Sequence, residues 1–530
     1  MHTGRKVLYT DEKEITASNV VQILRDILPD FESNVNDCIE LLAIEAGIVS
    51  IDREKKQRAD IDVKTVDNVA HEISLFKEGF HWGNPIAFVQ RGVGDSGKKT
   101  ENEAIDLLNE CYCAEDIGKK QAELGHYVEI CGIGYTYVDI KTDYVDGDSY
   151  FTLETLSPMD CGVVRSTAYT DKRIIMGFAV HVSKDLTTKS YTVFTRNQRF
   201  EIINNIIANG KPINEWNQLE RSGERNPLGM IPIIEYERAA DRMGVFEREI
   251  PEIKRVCLIL CDIGNDIDQE TQTIWHTNDV DFKEEVDSEG KPTGEVQTPK
   301  SNDWVQTYTS RDGKTPFIKP LTSGYNYQGL LDNYIQARTL ILQRTFTPQR
   351  NDNSGGSTGV AMSDATGWSA AEQVACLQQE YTESAKMKEV RVVIEAIKKN
   401  YHVKADSPLL KLRYIDVKPN ITRTRSYEMA VKTSAFANLI SHGIYGLHAI
   451  KYCNMFDDPN QVWDDSKKLI EEFQKTSFGE KEEVQQTSDN PNFQIGNSPN
   501  LDGMSKETPE DAEDVGNKKE EKKEEKGDEE

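Results

Sequence analysis

The spacing of apolar residues along this 530-residue chain changes twice, and each change marks a different kind of element. Up to about Leu124 the recurrence is helical, with amphipathic stretches from Ile15 to about Gly47, from Val66 to Phe80 and from Glu101 to about Leu124. The period then falls to two. The runs YVEICGIGYTYVDI (127–140), YFTLETL (150–156), RIIMGFAVHV (173–182) and SYTVFT (190–195) alternate and are rich in β-branched and aromatic residues, with Asp/Gly/Ser turns between them. Asp146-Gly147 reads as a hairpin turn between the first two. In NPLGMIPIIEYER (226–238) two prolines confine an apolar strand to an edge or a bulge. The first 240 residues are therefore expected to form an α+β domain, helices first and an antiparallel meander after them.

Beyond Pro251, which suits the first turn of a helix, the helical period returns. Ile253, Val256, Leu260, Ile263, Ile267 and Ile274 form a heptad-like stripe on a helix of about 25 residues, and one such stripe packs against partner helices. Glu252, Asp262, Asp266 and Glu270 fall on its other faces. Gly/Pro/Asp turns around short strands such as DWVQTYT (303–309) interrupt the period through 277–323. A second helix is predicted from about Tyr325 to Thr345, with Tyr327, Leu330, Tyr334, Ala337 and Ile341 on one face. The pattern implies an antiparallel helix pair with a β cap at its far end. FTPQRNDNSGGSTGVAM (346–362) is too polar and glycine-rich to pack. A helix from Ser369 to Asn400, about 45 Å long at the α-helical rise, a strand-like LLKLRYIDVKP (409–419) and a helical region at 425–475 follow. Asp457-Asp458-Pro459 is expected to end one helix there and start another.

Charge narrows the function. Lys and Arg number 63 against 90 Asp and Glu, a net charge of −27. Gripping DNA through its phosphates needs clustered cations, so this balance counts against tight nucleic-acid binding by the body of the protein. Residues 476–530 carry −10 of that charge and residues 1–475 carry −17. The terminal GNKKEEKKEEKGDEE cannot build a core and is expected to be a solvated tail. The nine cysteines are irregularly spaced without C-x-x-C pairs, which supports neither a disulfide framework nor a zinc ribbon. The opening MHTGRKVLYTDEKEIT lacks an apolar signal core, and no apolar run reaches the ~18 residues of a membrane span. A cytoplasmic chain with reduced thiols and no membrane partner is expected.

The sharpest local motif is RGVGDSGKKT (91–100), where Gly92, Gly94 and Gly97 fit G-x-G-x-x-G and Gly92 to Lys98 fits the start of a P-loop. A P-loop needs a hydroxyl directly after its lysine, and that position is Lys99, with Thr100 one residue late. A dinucleotide site needs a βαβ unit, whereas a meander is expected to follow. An exposed strand-to-helix loop is the better reading. The nine histidines include no H-E-x-x-H, and His71-Glu72 has no second His at the right offset. Cys111 and Cys113 point to different faces of a helix, while Cys257 and Cys261 share the apolar face of theirs and read as core. No catalytic, cofactor or metal set emerges.

Several phrases, in order, resemble the portal proteins of tailed bacteriophages, in the siphophage-like branch of that head-to-tail connector family. They are FKEGFHWGNPIAF (76–88), GIGYTYVDI (132–140) followed by LETLSPMDCGVV (153–164), NPLGMIPIIEYER, and TFTPQRNDNSGGSTGVAM before a long helix. The resemblance spans about residues 65 to 470 and does not include the glycines at 92–97. It implies an α+β portal fold: an α/β wing (1–244), stem helices (245–275 and 324–345) and a small β-containing clip between them (276–323). A tunnel loop (346–362), a long helix and returning strand of the wing (363–424), a helical crown (425–475) and a disordered acidic tail (476–530) complete it.

The resemblance further implies a ring of about twelve copies at one capsid vertex, through which double-stranded DNA is packaged and ejected. Its implied partners are the terminase large subunit, a head-tail adaptor and the major capsid and scaffolding proteins, in the virion and, during assembly, in the host cytoplasm. Carried onto this chain, Arg350, Asn351, Asn353, Ser354, Gly355 and Gly356 face DNA. Ile253, Val256, Leu260, Ile263, Ile267, Leu330, Tyr334 and Ile341 pack the stem, and Lys283, Trp304 and Arg311 dock partners at the clip. No cofactor is implied. Twelve copies of the −17 body would carry roughly −200 charges, screened beyond ~8–10 Å. Such a wall lets DNA slide, where strong phosphate binding would brake it. Two other classes stay open: a nucleotide-binding enzyme using 92–100, and a ring-forming adaptor that does not thread DNA.

Overall fold

The computed structural model describes residues 4–51, 53, 61–90, 99–170, 172–208, 211–219, 222–271, 275–278, 284–286, 288–296, 317–320, 327–349, 367–423, 428–453, 462–463 and 466–469. It is a mixed α+β structure in two units, Met1–Lys432 and Thr433–Glu530.

In the first unit, α1 (Val20–Glu45) and α2 (Val69–Trp82) occupy the first two stretches of helical period. The third holds two helices, α3 (Lys99–Ala114) and α4 (Ile117–Cys131). They are separated at Asp116, whose φ of +54° breaks the helical path. The expected strand at 127–140 is corrected accordingly. Val128, Ile130 and Cys131 are buried on the last turn of α4, and β3 begins only at Ile133. Their spacing suits either period, and burial against α2 selects the helix.

The expected meander is divided between two sheets. β3 (Ile133–Ile140) lies between β4 (Phe151–Leu156) and β11 (Ile233–Glu237) in a three-stranded sheet. β11 is an edge strand, and Pro232 directly precedes it. The connection from β3 to β4 is longer than a tight hairpin, with Asp146-Gly147 central to a turn closed by Asp148 N–H to Val145 O at 3.0 Å. The other sheet runs β1 (Leu8–Thr10), β5 (Cys161–Ser166), β6 (Ile174–Val182), β7 (Thr188–Phe194), β8 (Gln198–Ala208) and β10 (Glu224–Arg225), with β9 (Lys211–Gln218) also on β8. β1 joins it in parallel to β5. α1 covers this sheet with Ile23, Leu24, Ile27 and Phe31 against Val164, Met176, Phe178 and Ile202; Phe31 meets Phe178 edge to face at 5.1 Å.

The 32-residue α7 (Trp368–Lys399) lies over the β3 sheet, with Val390, Val393, Ile394 and Ile397 in the same core as Val138, Phe151, Leu153 and Tyr236. Of the strand-like 409–419, only the end is extended. Two 3-10 turns (Pro408–Lys411 and Tyr414–Asp416) lead into β16 (Val417–Asn420), which pairs antiparallel with β2 (Ala87–Gln90).

Between β11 and α7 the chain forms α5 (Ile250–Thr271) and α6 (Tyr327–Arg344), packed together. Two antiparallel pairs lie between them: β12 (Trp275–Asn278) with β15 (Phe317–Pro320), and β13 (Glu284–Val286) with β14 (Pro292–Val296). The helix α8 (Glu428–Ser441), which begins in the first unit and runs into the second, ends at Gly443, φ +81°, where Ile444 N–H bonds Leu439 O and Gly443 N–H bonds Ile440 O, both at 3.0 Å. This is the left-handed helix stop that glycine accommodates. α9 (Gly446–Cys453) follows, with Ala449, Ile450 and Cys453 buried. Asp457-Asp458-Pro459 and the acidic tail lie outside the described residues.

Candidate functional site: a helical hairpin and the root of a loop

The start of α5 is fixed to the end of α4 by close backbone contact. Val245 N–H donates to Glu129 O at 2.8 Å, and Arg238 N–H to Gly132 O at 3.0 Å. A Cβ on Gly244 would stand 2.0 Å from Ile130 O, so only glycine fits. Glu247 accepts from Gly244 N–H at 2.8 Å and pairs with the buried Arg5. Pro251 is the second residue of α5, as expected of a first-turn proline.

The buried face of α5 departs from the expected stripe. Ile253 and Val256 are buried, but Leu260 and Ile263 are half-buried and Ile267 is 44% exposed. Beyond Val256 the inward positions are Cys257, Cys261 and Asn265. The cause is the extended segment 61–68, which runs along that side. Val63 N–H donates to Asn265 Oδ1 at 2.8 Å, and Thr65 N–H lies 3.4 Å from Cys261 Sγ. The Cys257 thiol faces Asp67 O at 3.8 Å. Both cysteines are core residues, as their spacing suggested.

On α6, Ala337, Ile341 and Leu342 pack against α5 and α2, with Tyr334 partly buried beside them. Tyr334 Oη donates to Asp67 Oδ2 at 2.9 Å, and Arg338 Nε reaches the same oxygen at 3.1 Å. Burial and then Asp67 push the Tyr334 phenol up to about 12. Leu330 is half-buried, while Leu331 and Ile335 remain 42% and 50% exposed. The hairpin thus has one satisfied face and one apolar face open to solvent.

After α6 the chain turns sharply. Phe346 takes φ +52° between the buried Thr345 and Thr347, whose hydroxyls meet at 3.0 Å. Lys77 Nζ donates to Phe346 O at 2.9 Å, and Gln349 Nε2 to Thr339 O at 3.2 Å. Lys77 is 5% exposed, and burial lowers its pKa to about 8. Behind it lies Glu129, fully buried, which accepts from Trp82 Nε1 at 2.9 Å and Arg238 Nε at 3.2 Å and also contacts Gln378. Burial alone would raise this carboxyl, and Arg238 leads the groups that hold it below the usual range. His81, buried nearby, bonds Thr382 Oγ1 at 3.1 Å and is driven down to about 4 by burial. Lys77 therefore anchors the root of the loop to α2, and the Glu129 and His81 hydrogen bonds tie α2 in turn to α4 and α7. Lys77 was missed in sequence; its signal was a lysine four residues from both Ile73 and His81 on the inward stripe of α2.

Arg350, Asn351, Asn353, Ser354, Gly355 and Gly356, and likewise Lys283, Trp304 and Arg311, lie outside the described residues. So do Gly92, Gly94, Gly97 and Lys98. The elements around those glycines are described, and β2 has an antiparallel partner in β16 where a nucleotide-binding βαβ unit requires a parallel one. Among the described residues no cluster of three or more His, Cys, Asp or Glu could hold a metal ion, and no helix is long and apolar enough to cross a membrane.

Residues 51–476 match the model of the family "Phage portal protein, SPP1 Gp6-like". No curated protein sequence matches the chain. Among solved structures, a chain of the "Neck of native GTA particle computed with C12 symmetry" is similar at 8% identity and a TM-score of 0.41, over 79% of this chain and 93% of its own. A chain of the "Virion of native gene transfer agent (GTA) particle" is similar at 9% identity and a TM-score of 0.38, over 82% and 93%.

Proposed function

The chain belongs to the SPP1 Gp6-like phage portal proteins, a structural family, and from that premise we propose that it forms a ring of about twelve copies at one capsid vertex. Double-stranded DNA passes through the centre on packaging and ejection, and the ring is the platform for the packaging motor, the head-tail adaptor and the capsid and scaffolding proteins. Residues 1–244 and 363–424 form the wing, 245–275 and 324–345 the stem, and 276–323 the clip. Residues 346–362 form the tunnel loop, with Arg350, Asn351, Asn353 and Ser354 touching DNA, and 425–475 the crown. The ring assembles in the host cytoplasm and ends in the virion.

The observation that carries this reading, beside the family, is the unequal cover of the α5–α6 hairpin. Ile253 and Val256 are satisfied within the chain, whereas Ile267, Leu331 and Ile335 are left to solvent. Apolar residues left open on both helices of a pair favour a neighbour, and a second hairpin of the same kind supplies it. Electron microscopy of the purified full chain tests the reading. Class averages of a ring with a central hole are expected, and a chain that stays monomeric even beside its capsid proteins would overturn it.

A further inference from the structure

In a chain with 90 acidic residues against 63 basic ones, an arginine readily finds a carboxylate. Nearly every described arginine has a carboxylate, an aromatic ring or another partner. Among the described residues the exceptions are Arg196 and Arg225, both exposed, and both line the same cleft of about 810 Å³. Lys399 lines it too, its Nζ donating to Leu228 O. Among the described residues no carboxylate and no aromatic ring lines this cleft.

The walls are fixed. Arg196 sits in the β7–β8 turn, closed by Thr195 N–H to Gln198 O at 2.9 Å. Arg225 is held opposite Gln198 in the β10–β8 ladder. Asn226 joins the two, its Nδ2 donating to Thr195 O and Met230 O, both at 2.8 Å. Two guanidinium groups are therefore presented from a rigid frame, with no carboxylate among the described lining residues to neutralise them.

We propose that this cleft binds a Glu/Asp-rich peptide segment of a partner protein. The planar guanidinium fork matches a carboxylate bidentately, and the volume lies in the ~300–1,000 Å³ range of ligand sites. Arg225 belongs to β10, the terminal strand of its sheet, whose unpaired backbone groups favour an extended peptide. Nucleic acid fits less well. A single strand needs aromatic rings for stacking, and a duplex is gripped by cations spread along its phosphate track rather than gathered in a cleft. At physiological salt the screening length of ~8 Å lets this cationic site act locally against the −27 of the whole chain.

The test is fluorescence anisotropy with labelled deca-glutamate and the full-length protein at physiological salt, about 0.15 M. Saturable binding is expected, weakened at least tenfold in Arg196→Ala/Arg225→Ala, largely kept in Arg196→Lys/Arg225→Lys, and unchanged in Arg248→Ala, whose arginine pairs with Asp241 elsewhere. Because neither cleft arginine has a partner among the described residues, the alanine pair should melt at the wild-type temperature. Absence of peptide binding, binding that the alanine pair leaves intact, or a random 20-base-pair duplex bound more tightly than the peptide with the same arginine dependence would each overturn the proposal.

Discussion

Lys77 Nζ donates to the Phe346 carbonyl oxygen at 2.9 Å, so a buried ammonium on α2 holds the backbone just past α6. Burial sets the Lys77 pKa near 8, against 10.5 for a free lysine. Between those values the unfolded chain binds the proton and the folded chain does not, so this group makes stability rise with pH through that window. Below about 8 both states are protonated and its contribution is level. Lys77→Met removes the buried charge together with one hydrogen bond to a carbonyl on a partly exposed residue. At pH 7 its stability should lie within about 1 kcal/mol of wild type. The rise between pH 8 and 10 seen in wild-type urea midpoints should be smaller in the variant.

Glu389 is fully buried and accepts from Tyr112 at 3.1 Å, Tyr236 at 2.5 Å, Thr136 at 3.1 Å and Lys386 at 2.6 Å. Its removal strands the Lys386 ammonium in the core beside the Tyr112 ring. Glu389→Ala should cost about 3–5 kcal/mol in urea unfolding. Lys386→Met/Glu389→Leu should recover part of that loss, since no charge is then left unpaired.

Two glycine substitutions should move stability in opposite directions. Gly244→Ala forces a Cβ to within 2.0 Å of Ile130 O and should cost more than about 2 kcal/mol. Gly79, inside α2, has no atom within 4 Å of an added Cβ, and Gly79→Ala should gain about 0.5–1 kcal/mol. Thermal melts of the two variants check the pair.

Ile267 and Ile335 are 44% and 50% exposed within the chain. Ile267→Glu/Ile335→Glu should leave far-UV circular dichroism unchanged, while in native mass spectrometry the proposed ring should give way to smaller species.

Sequence periodicity located α1, α2, α5, α6 and α7 because each buries one face against its own domain. It located Ile253 and Val256 for the same reason. Leu260 and Ile267, on the same stripe, are half-buried and exposed within the chain, because the segment that covers α5 there is residues 61–68. Cys257, Cys261 and Asn265, not the larger aliphatics, fit against that segment. The break at Asp116 falls at a residue that is neither proline nor glycine, and Gly118 lies inside the helix that follows. The parallel pairing of β1 with β5 depends on distant partners, and local spacing holds no record of them. The loop root was illegible for a similar reason: the Lys77 partner is a backbone carbonyl 269 residues away.

The antiparallel pair of β2 and β16 joins residues 87–90 to residues 417–420, and everything from β3 to α7 lies between them in sequence. A ribosome adds about 5–20 residues per second, so the second strand emerges on the order of tens of seconds after the first. During that interval the residues of the β3 sheet that pack against α7, Val138 and Tyr236 among them, lack that cover. The first unit is therefore completed late in translation, after the hairpin that interrupts it has already left the ribosome.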